Sequence, residues 1–541
     1  MSSALGGWRS VPLANIDNAN LAPFLRKVCL VAGVGFFADA YNILSISIAS
    51  TMLGYVYGEC SSSETVDSSI RSLKTSQDLT LKVATPVGIV LGQIFFGWSA
   101  DRLGRKKMYG VEMMIIILAT FAQTLIPRVN EASTMVTSGL GTGGDYPLSA
   151  VITSEFSPPN RRGIMLASVF MCQGLGSVAS AFAPFILVSA YKHPILSSIE
   201  AQNGNESAFI DAMWRIIIGL GVIPSAIALY FRLTIPETFR FTAEVRRNIT
   251  EATRDYERSQ GSCSSEAIAV IPVAAPQLPT ASWEDLRQYF SQFRNFKVLF
   301  GASYSWFALD VAFYTLNLNT PIILESIAFG KDSDYHDQLS SCNMMDSGIF
   351  RALITASRGG LILAAAASFP GYLFSLALVD YWGRKPIQQM GFVVLTVLFM
   401  IMGFAYTDLR MNAKTWFAIL YSLANFFQNF GPNTTTFLIP SENWPTRYRA
   451  TAYGICAASG KLGAVIAQIG FSSIQINNSD DDENNTKSVQ KILQLIAFFM
   501  LSGVFSTLLL TETKGKTLEE LSGENVAEEE EHEQIPLLHR S

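Results

Sequence analysis

Asp39, Asp145, Asp310 and Lys461 are ionisable residues that stand inside long apolar stretches of this 541-residue chain. A carboxylate at mid-bilayer costs about 2.5–3.5 kcal/mol on insertion scales, so such groups usually face a cavity, a partner or a substrate path. Asp145 lies in Gly143-Gly144-Asp145-Tyr146-Pro147-Leu148, beside two glycines that let a backbone or ligand come close. Asp310 has Trp306 and Tyr314 four residues to either side, hence on one helical face. Lys461 falls in Ser459-Gly460-Lys461-Leu462-Gly463, while Gln173 and Asn433 add amides in other stretches. One lysine with aromatic and amide donors can hold a compact anion. Three carboxylates repel that anion unless some are protonated. Burial disfavours the charged carboxylate, and a neutral Asp donates a hydrogen bond to an oxyanion. Protons and anion are therefore expected to bind together. A monovalent anion moving with two or more protons carries net positive charge inward, gaining about 2.3 kcal/mol per charge per 100 mV.

Amides inside a membrane often serve only to glue helices by hydrogen bonds. That reading suits Asn425, Gln428 and Asn429. It suits the carboxylates and the lysine poorly, because ionisable groups are costlier glue.

The elements that position these residues follow from hydropathy. The chain is 49% hydrophobic and 15% charged, with mean hydropathy +0.28; soluble domains carry about 25% charged residues. A membrane span needs about 20 largely apolar residues. Twelve such stretches occur, near 28–54, 83–100, 108–127, 132–153, 164–190, 213–234, 297–326, 350–379, 386–406, 414–438, 451–475 and 488–510. Residues 1–27 are polar and mixed, without a signal-cleavage pattern, so the first span is expected to act as the insertion signal. The expected organisation is a cytoplasmic segment 1–27, a six-helix half 28–234, a middle loop 235–296, a second half 297–510 and an acidic tail 511–541.

Basic residues cluster in alternate loops, at Arg102/Arg105/Lys106/Lys107, Arg161/Arg162, Arg384/Lys385, Arg447/Arg449 and along the middle loop. Positive charge marks the cytoplasmic side, which places both termini there. The sequons at Asn205, Asn477 and Asn484 then fall on the other side as expected glycosylation sites, and that at Asn248 stays unmodified. Cys60 and Cys342 also fall outside, so a disulfide between them is open; Cys172 and Cys456 read as buried thiols.

Three loop motifs recur. Asp101-Arg102-Leu103-Gly104-Arg105-Lys106 returns as Asp380-Tyr381-Trp382-Gly383-Arg384-Lys385. Glu155 with Arg161 and Arg162 returns as Glu442 with Arg447 and Arg449, and Pro236-Glu237-Thr238 as Thr511-Glu512-Thr513. The spacing indicates a duplicated six-span unit. In parallel repeats of this kind the substrate site lies between the halves, which rock about it. Asp101, Arg105, Glu155, Arg162, Asp380, Arg384, Glu442 and Arg449 are expected to gate the cytoplasmic side and not to touch substrate. Within the repeat, Asp39 matches Asp310, Asp145 matches Asn433, and Gln173 falls within one residue of the mate of Lys461. Such pseudo-symmetry points to one central cavity.

These residues resemble the phosphate:proton symporter family of the major facilitator superfamily, the high-affinity phosphate transporters of fungi and plants. The most specific segments are Gly141-Thr142-Gly143-Gly144-Asp145-Tyr146-Pro147-Leu148-Ser149-Ala150, then residues 425–437 and 457–464. The resemblance implies an all-α membrane protein of twelve helices in two six-helix halves. It implies phosphate surrounded by Tyr146, Gln173, Trp306, Asp310, Tyr314, Asn433 and Lys461, and proton coupling through Asp39, Asp145 and Asp310. The family usually carries a second Asp where this chain has Asn42, which leaves Asp39 as the one titratable group of that motif. It also implies a plasma-membrane carrier that needs no cofactor or metal and whose partners are phosphate, protons and the bilayer.

The tail carries Glu528 to Glu531 and ends in Glu533-Gln534-Ile535-Pro536-Leu537-Leu538. Glu533, Leu537 and Leu538 look like an acidic dileucine signal, which would bring a sorting adaptor and a vacuolar or endolysosomal membrane as a second location. Other readings of the whole chain are a carrier of a related anion (a glycerophosphodiester or arsenate) and a phosphate-sensing transceptor. A soluble enzyme is excluded by hydropathy, and no Gly-rich phosphate cradle, metal cluster or nucleophile triad occurs at credible spacing.

Overall fold

The computed structural model describes residues 22–58, 73–125, 131–200, 206–246, 248, 251, 282–321, 323, 348–476 and 482–522. Among these residues twelve long helical elements follow one another. They are α1 (Ala22–Tyr57), α2 (Thr75–Leu103), α3 (Arg105–Leu125), α4 (Glu131–Phe156), α5 (Arg162–Ala190) and α6 (Glu206–Leu220, resumed as Val222–Arg232). The second set is α7 (Phe293–Leu318), α8 (Gly348–Ile362, a π-wound turn Leu363–Ser368, then Phe369–Trp382) and α9 (Arg384–Phe404). It closes with α10 (Lys414–Asn429, resumed as Pro432–Glu442), α11 (Arg449–Ile476) and α12 (Asp482–Leu508).

Among the described residues, nine helices are long and apolar enough to cross a membrane by length and composition. The three outside that set are α4, α7 and α10, which carry Asp145, Asp310 and Asn433. A helix that lines a polar interior can give up the apolar composition that lipid demands.

One end of the bundle is basic. There the turns between α2 and α3 and between α8 and α9 rest on Gly104 (φ +107°) and Gly383 (φ +100°). A left-handed backbone suits glycine, and a Cβ at either position would also strike the Glu237 or Glu512 carboxylate. These carboxylates have a job. Glu237 accepts from the Arg105 and Lys106 N–H groups at 3.1 and 3.2 Å, and Glu512 from those of Arg384 and Lys385 at 3.2 and 3.0 Å. Each thus satisfies the open N–H groups and positive dipole end of a helix start. Two of the three repeated loop motifs therefore meet in space.

Span ten differs from its reading as one continuous stretch over 414–438. The chain breaks at Phe430-Gly431, because Pro432 has no N–H to continue the first helix and fits the first position of the next. The break sets Asn433 in the opening turn of the second segment.

Cys60, Cys342, Asn205, Asn477, Glu533, Leu537 and Leu538 lie outside the described residues, and Asn484 falls in the first turn of α12. Cys29, Cys172 and Cys456 are free thiols, of which Cys456 is buried and the other two half-buried.

Candidate functional site

Midway along the bundle, Lys461 of α11 donates to Asp310 of α7 at 2.7 Å, with both side chains buried. The ammonium lies 5.0 Å from the ring centroid of Tyr146 on α4 and 4.8 Å from that of Tyr314 on α7. A cation over aromatic faces gains roughly 2 kcal/mol when desolvated. The Trp306 ring stands 6.5 Å from Tyr146 and 5.5 Å from Tyr453, edge-on to the latter. Asn433 donates to the Tyr372 hydroxyl at 3.0 Å and to Asn429 at 2.7 Å. Gln173 of α5 is buried, and its Oε1 has no hydrogen-bond partner among the described residues. The next residue, Gly174, abuts the Tyr372 ring. The seven residues expected around the anion thus come from α4, α5, α7, α10 and α11. Tyr146 joins Lys461 and Trp306 directly. Asn433 is held by Tyr372, which the sequence reading did not single out: a tyrosine in an apolar helix carries no charge signal.

A second polar cluster lies within the first six helices. Arg232 of α6 pairs with Glu112 of α3 and, at 2.6 Å, with Asp145 of α4. Its guanidinium sits 3.9 Å above the Tyr109 ring. Tyr109 and Ser149 share a hydrogen bond of 2.7 Å, and Ser149 also bonds Asp145. Gly35 of α1 touches the pair so closely that a Cβ there would overlap the Arg232 guanidinium. Asp39 lies one turn further along α1, buried, and neither of its oxygens has a hydrogen-bond donor among the described residues. The sequence reading counted three carboxylates and one lysine; the structure adds Glu112 and Arg232. Arg232 lies near the end of span six (213–234), where the sequence reading did not single it out. Glu112, inside Tyr109-Gly110-Val111-Glu112-Met113-Met114, carried a signal that could have been read.

The cluster belongs to one half. Counting from the paired arginines Arg105 and Arg384, Tyr109 corresponds to Gln388 and Glu112 to Gly391. Counting from Glu237 and Glu512, Arg232 corresponds to Thr507. Gln388 donates to Thr507 at 3.0 Å, and Gly391 packs against Pro432. The same positions are thus uncharged in the second half.

The basic end is closed by links between the first six helices and the last six. Arg105 reaches Asp101 (3.1 Å), Glu155 (3.3 Å) and the Thr446 carbonyl (2.7 Å). Glu155 also takes Arg449 at 3.1 Å, and Asp101 accepts from the Thr451 N–H and hydroxyl at 2.7 Å each. Arg384 holds Asp380 (2.8 Å) and Glu442 (3.1 Å), while Asp380 accepts from the Ile164 N–H at 3.0 Å. Arg162 donates to the Lys516 carbonyl at 3.1 Å. Above this layer Phe170 stacks on Phe437 at 4.6 Å, and Phe36 meets both Phe437 and Tyr146. At the opposite end a cavity of about 80 Å³ opens between the halves, lined by Ser47, Ser177, Ser180, Asn317, Ser357 and Asn425 among others. Ser177 stands one turn beyond Gln173, and Asn425 two turns beyond Asn433, so the cavity leads toward the central site.

Arg240 also pairs with Glu519 of the short helix Leu518–Ser522 beyond α12. Burial would push the Glu519 carboxyl up, but the Arg240 guanidinium outweighs it and holds the carboxyl below its ordinary value. A lowered carboxyl stabilises the docked helix above the ordinary glutamate value of about 4.3, and the contribution fades as pH falls below it. Limited proteolysis of the segment after α12 is expected to accelerate in that acidic window. Glu519→Gln should show the fast rate at neutral pH as well, with little further change on acidification.

Comparison with known proteins gives one family. Residues 28–329 and 339–524 match the sugar (and other) transporter family. A repressible high-affinity phosphate permease of Neurospora crassa is 39% identical over 535 residues, covering 95% of this chain and 89% of the relative. The inorganic phosphate transporter PHO84 of Saccharomyces cerevisiae is 39% identical, over 95% of this chain and 87% of its own. A low affinity inorganic phosphate transporter 4 of Medicago truncatula is 33% identical, over 96% and 95%. Among solved structures, the proton:xylose symporter XylE bound to 6-bromo-6-deoxy-D-glucose superposes with a TM-score of 0.64 at 18% identity, covering 93% of this chain and 99% of that one. That likeness concerns the fold: twelve helices of the major facilitator type. The chain is a multi-pass membrane protein and belongs to the sugar (and other) transporter family of the major facilitator superfamily.

Proposed function

We propose that this protein is a proton-coupled inorganic phosphate symporter that works by alternating access. The observation that carries this reading is the buried Lys461–Asp310 pair facing Tyr146 and Tyr314, close to a cluster with more carboxyls than cations. Relatives whose names state phosphate transport supply the substrate. Phosphate would enter by the hydroxyl-lined cavity and meet Lys461. Lys461 then shares its donors between Asp310 and the anion, and Tyr146, Tyr314, Trp306, Gln173 and Asn433 offer neutral donors around it. A neutral donor set holds the anion without adding a fixed charge to expel.

Proton coupling follows from a count. Among the described residues, Asp39, Glu112 and Asp145 face one guanidinium, Arg232, so two carboxyls lack a buried counter-charge there. An unpaired buried carboxylate takes up a proton sooner than stay charged. Asp39, with no donor among the described residues, is the natural first site, and Asp145 the one whose proton competes with Arg232. Loss of those protons on the basic side would restore negative charge near the anion and drive it out. The basic end is then cytoplasmic, and Asp101, Arg105, Glu155, Arg162, Asp380, Arg384, Glu442 and Arg449 form the inner gate. The halves 28–234 and 297–510 would rock about the site, with the plasma membrane as the place of action.

Labelled phosphate uptake into proteoliposomes tests the reading. Uptake should rise several-fold when the outside is made one pH unit more acid, which supplies about 1.4 kcal/mol per proton. Arsenate should compete; sulfate and glucose should not. Uptake indifferent to an imposed pH gradient would remove the coupling, and competition by glucose would remove phosphate.

A further inference from the structure

At the end opposite the basic one, a buried lysine joins the two halves. Lys82 of α2 is 4% exposed. Its ammonium donates to Asp78, one turn earlier, at 2.7 Å, and to the side-chain oxygen of Asn319, just past α7, at 3.0 Å. Asn319 is fully buried; its amide donates to the Thr315 carbonyl at 2.9 Å and to Gln468 of α11 at 3.3 Å. Gln468, also buried, donates at 2.9 Å to the backbone carbonyl of Tyr314. The chain of bonds thus runs from the outer end of α2 to the residue whose ring stands 4.8 Å from Lys461. Beside it, Ser47 of α1 donates to the Leu318 carbonyl at 3.3 Å, a second link across the halves.

We propose that Lys82 and Asn319 form the outer latch of the transport site, and that Asn319 and Gln468 are positioning residues for Tyr314. The proposal rests on the phosphate reading above. The geometry makes the latch cheap to release. When the halves part at this end, Lys82 leaves Asn319 but keeps Asp78, whose side chain is 27% exposed. No buried cation is stranded, which is the costly outcome when one partner of a buried pair is removed. Closing does the reverse. The ammonium orients the Asn319 carboxamide, the carboxamide orients Gln468, and Gln468 fixes the last turns of α7 around Tyr314. Phosphate seated against Tyr314 and Lys461 therefore favours the latched form, and the latched form favours the seated anion. Differential contact with two states is what lets a ligand shift their balance.

The test uses Ser177→Cys, in the cavity wall, as a reporter of opening, in the full-length chain with its native cysteines replaced. Lys82→Met removes the latch but no phosphate contact. Labelling of the reporter by an impermeant thiol reagent should quicken by about fivefold and lose its protection by phosphate, as a shift in the open population demands. Maximal transport should fall roughly tenfold while phosphate affinity stays within about threefold, the pattern of a lost conformational step. Asn319→Asp turns the link to Lys82 into an ion pair and should act oppositely on the reporter, slowing labelling by about fivefold, while the loss of the amide donor to Gln468 should weaken phosphate affinity as Gln468→Ala does. Gln468→Ala should weaken phosphate affinity with little effect on labelling without phosphate. Labelling rates unchanged in both Lys82→Met and Asn319→Asp, or shifted in the same direction, would overturn the latch. If Lys82→Met does not fold, the slowing in Asn319→Asp decides alone. Labelling without phosphate reads the latch whatever the substrate, so failure of phosphate to bind the parent protein would sink the function and not this device.

Discussion

Asp145→Asn is expected to abolish accumulation of phosphate against its gradient, with uptake driven by a pH gradient reduced at least about 100-fold, while the protein stays folded. The reason is the company Asp145 keeps. It is one of three carboxyls around Arg232 and is held by that guanidinium at 2.6 Å and by Ser149. Deleting one partner of a buried ion pair costs about 3–5 kcal/mol when the other is left uncompensated. Here Arg232 keeps Glu112, and the Asn oxygen still accepts a hydrogen bond, so the loss should be well below that range. What disappears is the ability to exchange a proton for Arg232. Phosphate exchange down its own gradient should persist, because the amide imitates the protonated acid. Thermal unfolding checks the fold, and counterflow separates exchange from accumulation. Accumulation by the variant would exclude Asp145 as an essential proton carrier and move that role to Asp39 and Glu112.

Lys461→Ala should weaken phosphate binding roughly 10- to 150-fold, the worth of a hydrogen bond to a charged group at about 1.5–3 kcal/mol. The upper end is expected, since the change also leaves Asp310 facing the anion without its 2.7 Å partner. Lys461→Ala with Asp310→Asn removes both charges. This pair should recover thermal stability but not affinity, which distinguishes a binding role from a structural one. Unchanged uptake kinetics at low phosphate in Lys461→Ala would refute the assignment. Arg232 does not substitute for the lysine, because Glu112 and Asp145 already occupy its guanidinium.

Both experiments turn on partners that were visible in the sequence to different degrees. Lys461, Asp310, Trp306 and Tyr314 stand out in one dimension, since a charge in an apolar run is an anomaly and spacing by four puts residues on one face. Tyr372 and Gln468 do not stand out, because nothing local distinguishes a polar side chain in a cavity wall from one gluing two helices. Glu112 and Arg232 are intermediate. Each is an anomaly alone, but their pairing over 120 residues appears only when α3 and α6 are packed together.

Composition and spacing by themselves determined that the chain crosses a membrane, that it repeats a six-span unit, and which residues are too costly to bury without a purpose. Those properties are additive along the chain: transfer free energy sums residue by residue, and repeats are compared position by position. The tertiary structure alone decided who faces whom. It set Tyr146 of one half against Lys461 of the other, confined the Glu112–Arg232–Asp145 cluster to the first half and closed the basic end. Such pairings depend on the rotation and depth of each helix against its neighbours, and many helix arrangements share one hydropathy profile.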